Sequence, residues 1–166
     1  MISTKGRYAV RVLVDLAEQG DKTVPLRDVA KSQGISEKYL QHVAKLLVNK
    51  GLLTGVSGKG GGYKLGRAAD DITVLEVLEA AEGTIAPIAC LAPDAPPCER
   101  ASSCKTLPMW SRYYALTRDF FGSMTIADIV ESGLPVGQRG FPYEQKCPKG
   151  TVPFGQQVDC LEVPSE

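Results

Sequence analysis

The fold of this chain is indicated most clearly by the stretch GISEKYLQHVAKLLVNK, residues 34–50. Its apolar residues recur at positions i, i+3, i+4 and i+7, which is the spacing of one buried helix face. They are Leu40, Val43, Ala44 and Leu47. The other side of this helix carries polar side chains and no carboxylate after Glu37: Lys38, Gln41, His42, Lys45 and Asn49. Ser36 can cap the helix and Gly51 can end it.

A shorter helix, at about residues 25–33, is predicted just before this one. Pro25 suits a first helical turn, because its missing N–H costs nothing there, and Gly34 can adopt a left-handed cap. Two helices joined by a glycine-containing turn, the second presenting Lys, Gln and His outward, are typical of a helix-turn-helix whose second helix enters the major groove. A solvated helix face is the simpler alternative.

A β-hairpin is predicted directly after this pair, with strands at residues 52–57 and 63–65. A hairpin in this place is a wing, whose glycines let the backbone approach phosphates while Lys59 supplies charge. A first helix at about residues 3–19 brings further polar side chains, which either contact phosphates or form a solvated first turn. The candidate DNA contacts are Thr4, Lys5, Ser36, Lys38, Tyr39, Gln41, His42, Lys45, Lys59 and Gly60.

The charge distribution supports a polyanionic partner for the first part of the chain. The net charge is zero, but residues 1–66 hold eleven Lys and Arg against five Asp and Glu, whereas residues 67–166 hold eight against fourteen. Such an asymmetry favours nucleic-acid binding. No apolar run is long enough for a membrane span, and charged residues interrupt the N-terminal apolar stretch, so we expect a cytoplasmic protein with no membrane partner.

The second part of the chain is predicted to contain a dimerisation helix. A capping box at Thr73 opens a helix that ends near Glu82, and a longer helix follows at about residues 106–121. Its broad apolar face favours a symmetric homodimer, with packing onto its own domain as the alternative. The dimerisation candidates on it are Trp110, Tyr113, Leu116 and Phe120. A last short helix begins at Thr125.

The predicted architecture is therefore mainly α with a small β-hairpin. A winged helix-turn-helix DNA-binding domain takes up residues 1–83, and a cysteine-rich sensor loop takes up residues 84–105. The dimerisation helix and the short terminal helix occupy residues 106–132. Residues 133–166, which are rich in Gly, Pro and Gln, are expected to form a flexible tail.

The cysteine-rich loop is the candidate metal site. Cys90, Cys98 and Cys104 are separated by seven and five residues, among prolines that exclude regular structure. In a reducing compartment such thiols favour metal or redox chemistry over structural disulfides, and soft thiolates select iron–sulfur clusters, Zn or Cu(I). Zinc and a thiol switch remain alternatives to a cluster. Cys147 and Cys160 are candidates for a fourth thiolate ligand. The single histidine and the lack of a nucleophile–base pattern argue against an enzyme.

Taken together, these motifs resemble the IscR-type family of winged-helix transcription regulators. The matching stretches are residues 3–10, 34–40, 60–65 and 72–74, and the three cysteines followed by Trp110. The resemblance covers about residues 1–132. It implies a homodimer, double-stranded operator DNA as partner and, in many members, an iron–sulfur cluster on the loop cysteines, of the [2Fe-2S] or [4Fe-4S] type.

The chain departs from the family pattern at the ligands. IscR-type members space their cysteines by five residues twice and offer a histidine as fourth ligand where this chain has Leu107. Nitric-oxide regulators of the family can use an aspartate where this chain has Arg7, and a wing arginine is replaced by Ser57. We therefore expect a DNA-binding regulator sensing iron–sulfur, redox or nitric oxide status. The alternative is a cluster-free regulator that responds through a thiol switch, zinc or a protein partner, as cysteine-metabolism repressors do.

Overall fold

The computed structural model describes residues 2–132 and confirms a mainly α-helical chain with one small antiparallel sheet. The helices are α1 (Thr4–Glu18), α2 (Leu26–Gln33), α3 (Glu37–Asn49), α4 (Val74–Glu82), α5 (Leu107–Gly122) and α6 (Ile126–Ser132). The strands are β1 (Leu53–Val56) and β2 (Gly62–Leu65), and short 3₁₀ turns lie at Ala69–Asp71 and Ala89–Leu91. No helix in this part of the chain is long and apolar enough to span a membrane. The expected tail, 133–166, lies outside the described residues.

Helix α1 is the centre of the packing, since it contacts α2, α3, α4, α6 and β2. It begins after Ser3, whose side chain accepts a hydrogen bond from the backbone N–H of Lys5. One face of the helix is excluded from water, with at most 1% of each side chain exposed: Ala9, Val12, Leu13 and Leu16. Complete burial of one Leu or Val side chain stabilises a fold by about 1.5–3 kcal/mol. This stripe therefore fixes α1 in the core.

The helix-turn-helix forms as the sequence predicts. Pro25 precedes the first residue of α2, and Gly34 ends that helix in the left-handed conformation with φ 64°. The N–H of Ile35 then donates to the carbonyl of Ala30 at 2.9 Å, which closes the turn. Ser36 caps α3. The apolar stripe of α3 is completely buried, as predicted, at Leu40, Val43, Ala44 and Leu47.

The hairpin after α3 is the predicted wing, with slightly different strand ends. Its register aligns Leu53 with Leu65, whereas Leu52, expected in the first strand, is buried in the core before the strand begins. Val24 forms an isolated antiparallel bridge with β2: its N–H donates to the Tyr63 carbonyl at 2.9 Å, and its carbonyl accepts from the Tyr63 N–H at 2.8 Å. The wing is thereby bonded to the segment that leads into α2.

The capping box at the start of α4 is confirmed. The Thr73 hydroxyl accepts from the Glu76 N–H at 3.2 Å, and the Glu76 carboxylate accepts from the Thr73 N–H at 3.0 Å. The N–H of Val74 donates to the carbonyl of Met124 at 2.9 Å. The chain entering α6 is thus attached to the start of α4, and Ile126, the first residue of α6, is completely buried.

Helix α5 has two apolar faces, of which one packs onto its own domain, as one of the two expected alternatives has it, and the other is open to solvent. Tyr114 and Phe121 pack against a small cluster formed by Val74, Leu78 and Ile85 of their own domain. A different row of large side chains, spaced by four, three and four residues, is 42–58% exposed: Met109, Tyr113, Leu116 and Phe120. Apolar residues on adjacent positions of a helix point to different sides, which is why the sequence did not separate the two faces.

Replacing Gly62 with Ala should destabilise the winged domain. A Cβ atom at this position would lie 2.2 Å from the carbonyl oxygen of Val24, a backbone atom that cannot rotate away. We expect the free energy of unfolding, measured in urea, to fall by about 2 kcal/mol or more. The matched control is Gly55→Ala in β1, where the new Cβ would meet the Tyr63 ring at an ordinary 3.5 Å. Equal stability of the two variants would contradict the close backbone approach.

Candidate nucleic-acid interface and cysteine loop

The outer face of α3 is open and carries no acid between Lys38 and Lys50. The apolar stripe of α3 is buried against α1, so the side chains on the opposite side of α3 are exposed to solvent. Those exposed on this face are Lys38, Gln41, His42 and Lys45. The face therefore presents cationic groups, an amide and an imidazole side by side. Such groups form hydrogen bonds with phosphates and with base edges.

Ser36 and Tyr39 are at the start of the same helix but have partners within the chain. The Ser36 hydroxyl accepts from the Tyr39 N–H at 3.3 Å, so its oxygen serves as the helix cap. The Tyr39 ring, 36% exposed, meets the ring of Tyr8 edge to face, with centroids 5.8 Å apart. The guanidinium of Arg11 lies 5.6 Å from the centre of the Tyr8 ring. The Tyr8 ring, with Arg11 beside it, thus connects α1 to α3, a role that sequence reasoning missed.

The end of α2 is attached to α1 by the side chains of Arg11 and Asp15. The guanidinium of Arg11 donates to the carbonyl oxygen of Gln33 at 2.7 Å and to its side-chain oxygen at 2.9 Å. Asp15 is buried at 8% exposed and accepts hydrogen bonds from Ser32 and Gln33. A charged residue inside the apolar spacing of α1 was the available sequence signal, because a carboxylate on a core face needs donors.

The tip of the wing is exposed at Lys59 and Gly60. Gly58 and Gly60 have positive φ angles of 103° and 83°, which turn the hairpin without a steric cost. At Gly61 the constraint is spatial instead, since a Cβ would lie 2.3 Å from the carbonyl oxygen of Val56. The wing is therefore a narrow backbone ribbon with one cation at its tip.

The N-terminal turn of α1 carries the remaining DNA candidates. Thr4 is exposed, and its hydroxyl accepts from the guanidinium of Arg7 at 3.2 Å. Lys5 is half-buried. One carboxylate oxygen of Glu82, the last residue of α4, accepts from both donors of Ser3 and from the Gly6 N–H. Sequence reasoning missed this contact, because its partners are 76–79 residues apart.

The three loop cysteines are free thiols between α4 and α5. Cys90 and Cys98 are exposed and Cys104 is half-buried. The sulfur of Cys104 lies 3.5 Å from the Thr106 hydroxyl, and hydrogen bonding to Thr106 holds the pKa of this thiol below its ordinary value. A lower thiol pKa favours the thiolate, which is the form that binds metals.

The donor set of the loop fits a soft metal centre, but the structure does not assemble it. Within residues 2–132, no three His, Cys, Asp or Glu side chains lie close enough together to hold a metal ion. Between Gly83 and α5 the backbone has only the 3₁₀ turn Ala89–Leu91. The loop therefore contains no longer helix or strand that would prevent it from closing around a ligand. Its thiols have the chemistry that iron–sulfur and zinc centres require.

Comparisons with known proteins agree with this geometry. The model of a family described as "Rrf2: Iron-dependent Transcriptional regulator" matches residues 2–132. The HTH-type transcriptional regulator IscR of Erwinia tasmaniensis is 35% identical over 132 residues, which is 79% of each chain. Protein rrf2 of Nitratidesulfovibrio vulgaris is 35% identical over 130 residues, 78% of this chain and 86% of its own.

Solved structures resemble the chain to a similar degree. The structure of CymR (YrzC), the global cysteine regulator of B. subtilis, superposes with a TM-score of 0.64 at 32% identity, covering 80% of this chain and 97% of CymR. The IscR of T. potens superposes with a TM-score of 0.64 at 28% identity, covering 86% and 94% of the two chains. Both similarities extend over most of the chain.

Proposed function

This chain belongs to the Rrf2 family, whose members are transcription regulators and not enzymes, and from this premise we propose a specific mode of action. The protein is a homodimer that binds double-stranded operator DNA. It reports iron–sulfur, redox or nitric oxide status through a cluster held by Cys90, Cys98 and Cys104. Its place of action is the cytoplasm, where thiols remain reduced. The observation that carries the proposal is the exposed polar face of α3 beside the wing, which has no carboxylate after Glu37.

The α3 face and the wing divide the work of binding DNA. Gln41 and His42 have hydrogen-bonding groups for base edges in the major groove, while Lys38 and Lys45 serve either guanine or phosphate. Lys59 and Gly60 at the wing tip meet the phosphate backbone, as do Thr4 and Lys5 at the start of α1. Ser36 and Tyr39 border the α3 face: Ser36 caps the helix, and the Tyr39 ring contacts Tyr8 of α1.

The loop thiols are the ligands in this proposal. Hydrogen bonding to Thr106 lowers the pKa of Cys104 and so favours its thiolate, the form that binds a metal. Three thiolates leave a [2Fe-2S] or [4Fe-4S] cluster short of one protein ligand, which makes a bound cluster sensitive to iron supply and oxidants. Leu107 stands where IscR-type members have a ligand histidine, so the fourth ligand comes from elsewhere.

A cluster-free regulator is the second candidate. It is favoured by the separation of the three thiols and by the likeness to the cysteine regulator CymR. In this case the exposed Cys90 and Cys98 respond to oxidants, zinc or a protein partner, and DNA binding by α3 and the wing is unchanged.

The open row on α5 supports the homodimer. Side chains spaced by four, three and four residues form the seam that pairs two helices in a coiled coil. Tyr113 and Leu116 are more than half exposed in the single chain, and the Trp110 ring lies 6.3 Å from that of Tyr113 at its edge. Apolar surface of this kind is stabilised by a second copy of the same helix.

Single substitutions should separate phosphate contacts from base reading. Lys59→Ala should weaken binding to all sequences and lower the slope of log affinity against log salt by about 1. Gln41→Ala should change sequence preference, with a loss of about 1–3 kcal/mol at one base pair. Fluorescence anisotropy would be measured on a duplex selected from a random library by the wild-type protein, and on a scrambled duplex. Lys22→Ala, which removes an exposed cation elsewhere, is the control. An unaltered preference in Gln41→Ala would remove this residue from the reading set.

The cluster is tested by iron and acid-labile sulfide per chain, with a visible spectrum, on protein purified without oxygen. We expect near-stoichiometric iron and sulfide, lost in air or nitric oxide. Combining Cys90→Ala, Cys98→Ala and Cys104→Ala should abolish iron binding and the response while DNA binding persists. A second variant, Cys147→Ala with Cys160→Ala, tests these two cysteines as the source of a fourth thiolate, and retained iron would exclude them. A colourless wild-type protein with free thiols would favour the cluster-free candidate.

The dimer is tested by one charge placed in the α5 row. Leu116→Glu should weaken dimerisation on the order of 100-fold, because a carboxylate would be buried without a partner. The oligomeric state would be measured by sedimentation over a range of concentrations. Ala115→Glu, which places the same charge at an exposed position outside the row, should leave the dimer intact. A monomeric wild-type protein would refute the interface.

A further inference from the structure

One oxygen of Glu82 receives three hydrogen bonds from the beginning of α1. The Ser3 N–H donates at 2.9 Å, the Ser3 hydroxyl at 2.6 Å and the Gly6 N–H at 3.0 Å. The first turn of α1 contains no acidic residue of its own. Glu82 therefore supplies from another helix the negative charge that the positive end of a helix dipole favours.

The chain leaves room for this carboxylate at Gly6. A Cβ atom on Gly6 would lie 2.6 Å from the Glu82 oxygen, so a larger residue would displace it. Gly6 lies within α1, so its φ angle is negative, as in any right-handed helix. The need for glycine here is thus one of space and not of backbone conformation. Burial raises the pKa of Glu82, but hydrogen bonds from Ser3 and Gly6 lower it by more, so the carboxylate is charged at neutral pH.

The last turn of α4 also contacts α5. Glu79, three residues before Glu82, forms an ion pair with Arg118 of α5. The Arg118 guanidinium also donates to the Tyr114 hydroxyl at 3.4 Å and lies 5.6 Å from the centre of that ring. The last turn of α4 is therefore bonded to α1 through Glu82 and to α5 through Glu79.

This same turn leads directly into the cysteine loop. Gly83 ends α4 with φ 84°, and the loop runs from there to the start of α5. A change in the loop acts on both of its ends, and the end at Gly83 adjoins the carboxylate that holds the first turn of α1. Thr4 and Lys5, the phosphate contacts proposed above, belong to that turn.

We propose that Glu82 is a positioning residue that transmits the state of the cysteine loop to the DNA-facing first turn of α1. Glu82 keeps the first turn of α1 ordered for phosphate contact. Glu79 holds the last turn of α4 on α5. A movement of the loop end therefore displaces the first turn of α1 together with the end of α4, and not α4 alone. By linkage, anything that orders the loop then alters DNA affinity, and DNA alters the loop to the same extent. This inference rests on the proposed binding of DNA.

The full-length chain tests the inference with two variants that break the same contact differently. Glu82→Ala removes the acceptor, whereas Gly6→Ala keeps the charge, pushes the oxygen away and favours helix formation. Affinity for the selected duplex would be measured on iron-loaded and iron-free protein, with amide hydrogen exchange at Lys5 to Arg7. We expect the form of the wild-type protein that binds the duplex more tightly to lose about tenfold in affinity in both variants, while the other form changes less, and the amide of residue 6 to exchange faster. The ratio of loaded to iron-free affinity should therefore move towards one.

The controls separate transmission from simple support. Glu82→Gln keeps an oxygen that can accept the same bonds and should restore most of the affinity and the ratio. Glu18→Ala removes an exposed carboxylate at the other end of α1 and should behave as wild type. The inference is overturned if Gly6→Ala folds and binds DNA as wild type does, or if the variants weaken both forms equally. A wild-type protein that binds no DNA, or binds equally in both forms, would instead refute the proposed function and the inference with it.

Discussion

The packing of α1 against α3 determines the position of the surfaces proposed to meet DNA. Val12 and Leu13 of α1, and Val43 and Leu47 of α3, are completely closed to water. A closely packed protein interior tolerates little change in volume. Helix α3 therefore packs on α1 in only one rotation about its own axis. Its outward face is a consequence of that rotation. The end of α2 is fixed to the same helix by Asp15, and β2 also contacts it.

The parts of the fold that could be predicted from sequence are those decided by neighbouring residues. The stripe on α3 and the Thr73 capping box of α4 each depend on residues within two turns of one another. The ends of these two helices were predicted to within about a residue. The two faces of α5 were not separable in this way. Tyr113 and Tyr114 are equally apolar in sequence, and only the position of α4 makes one of them a core residue.

The candidate site was predictable in composition but not in arrangement. The polar face of α3 and the wing cation follow from helical spacing and turn chemistry. The Tyr8–Tyr39 contact and the three bonds to Glu82 join distant segments, and no local pattern predicts them. Asp15 stands out in the apolar spacing of α1, but its partners on α2 do not. The cysteines illustrate the same limit, since their number and type indicate a soft ligand set while their separation in space depends on a loop without regular structure.

The glycines of the wing have a consequence for redesigning this domain. At the tip, Gly58 and Gly60 have open space around the missing Cβ, so the requirement there is a torsion angle that a D-amino acid would satisfy as well. Near the base, a Cβ on Gly62 would lie 2.2 Å from the Val24 carbonyl oxygen and a Cβ on Gly66 would lie 2.2 Å from that of Gly51, so the side chain of an L-amino acid has no room at either position. A library aimed at new operators should therefore vary Lys59 at the tip and keep these glycines.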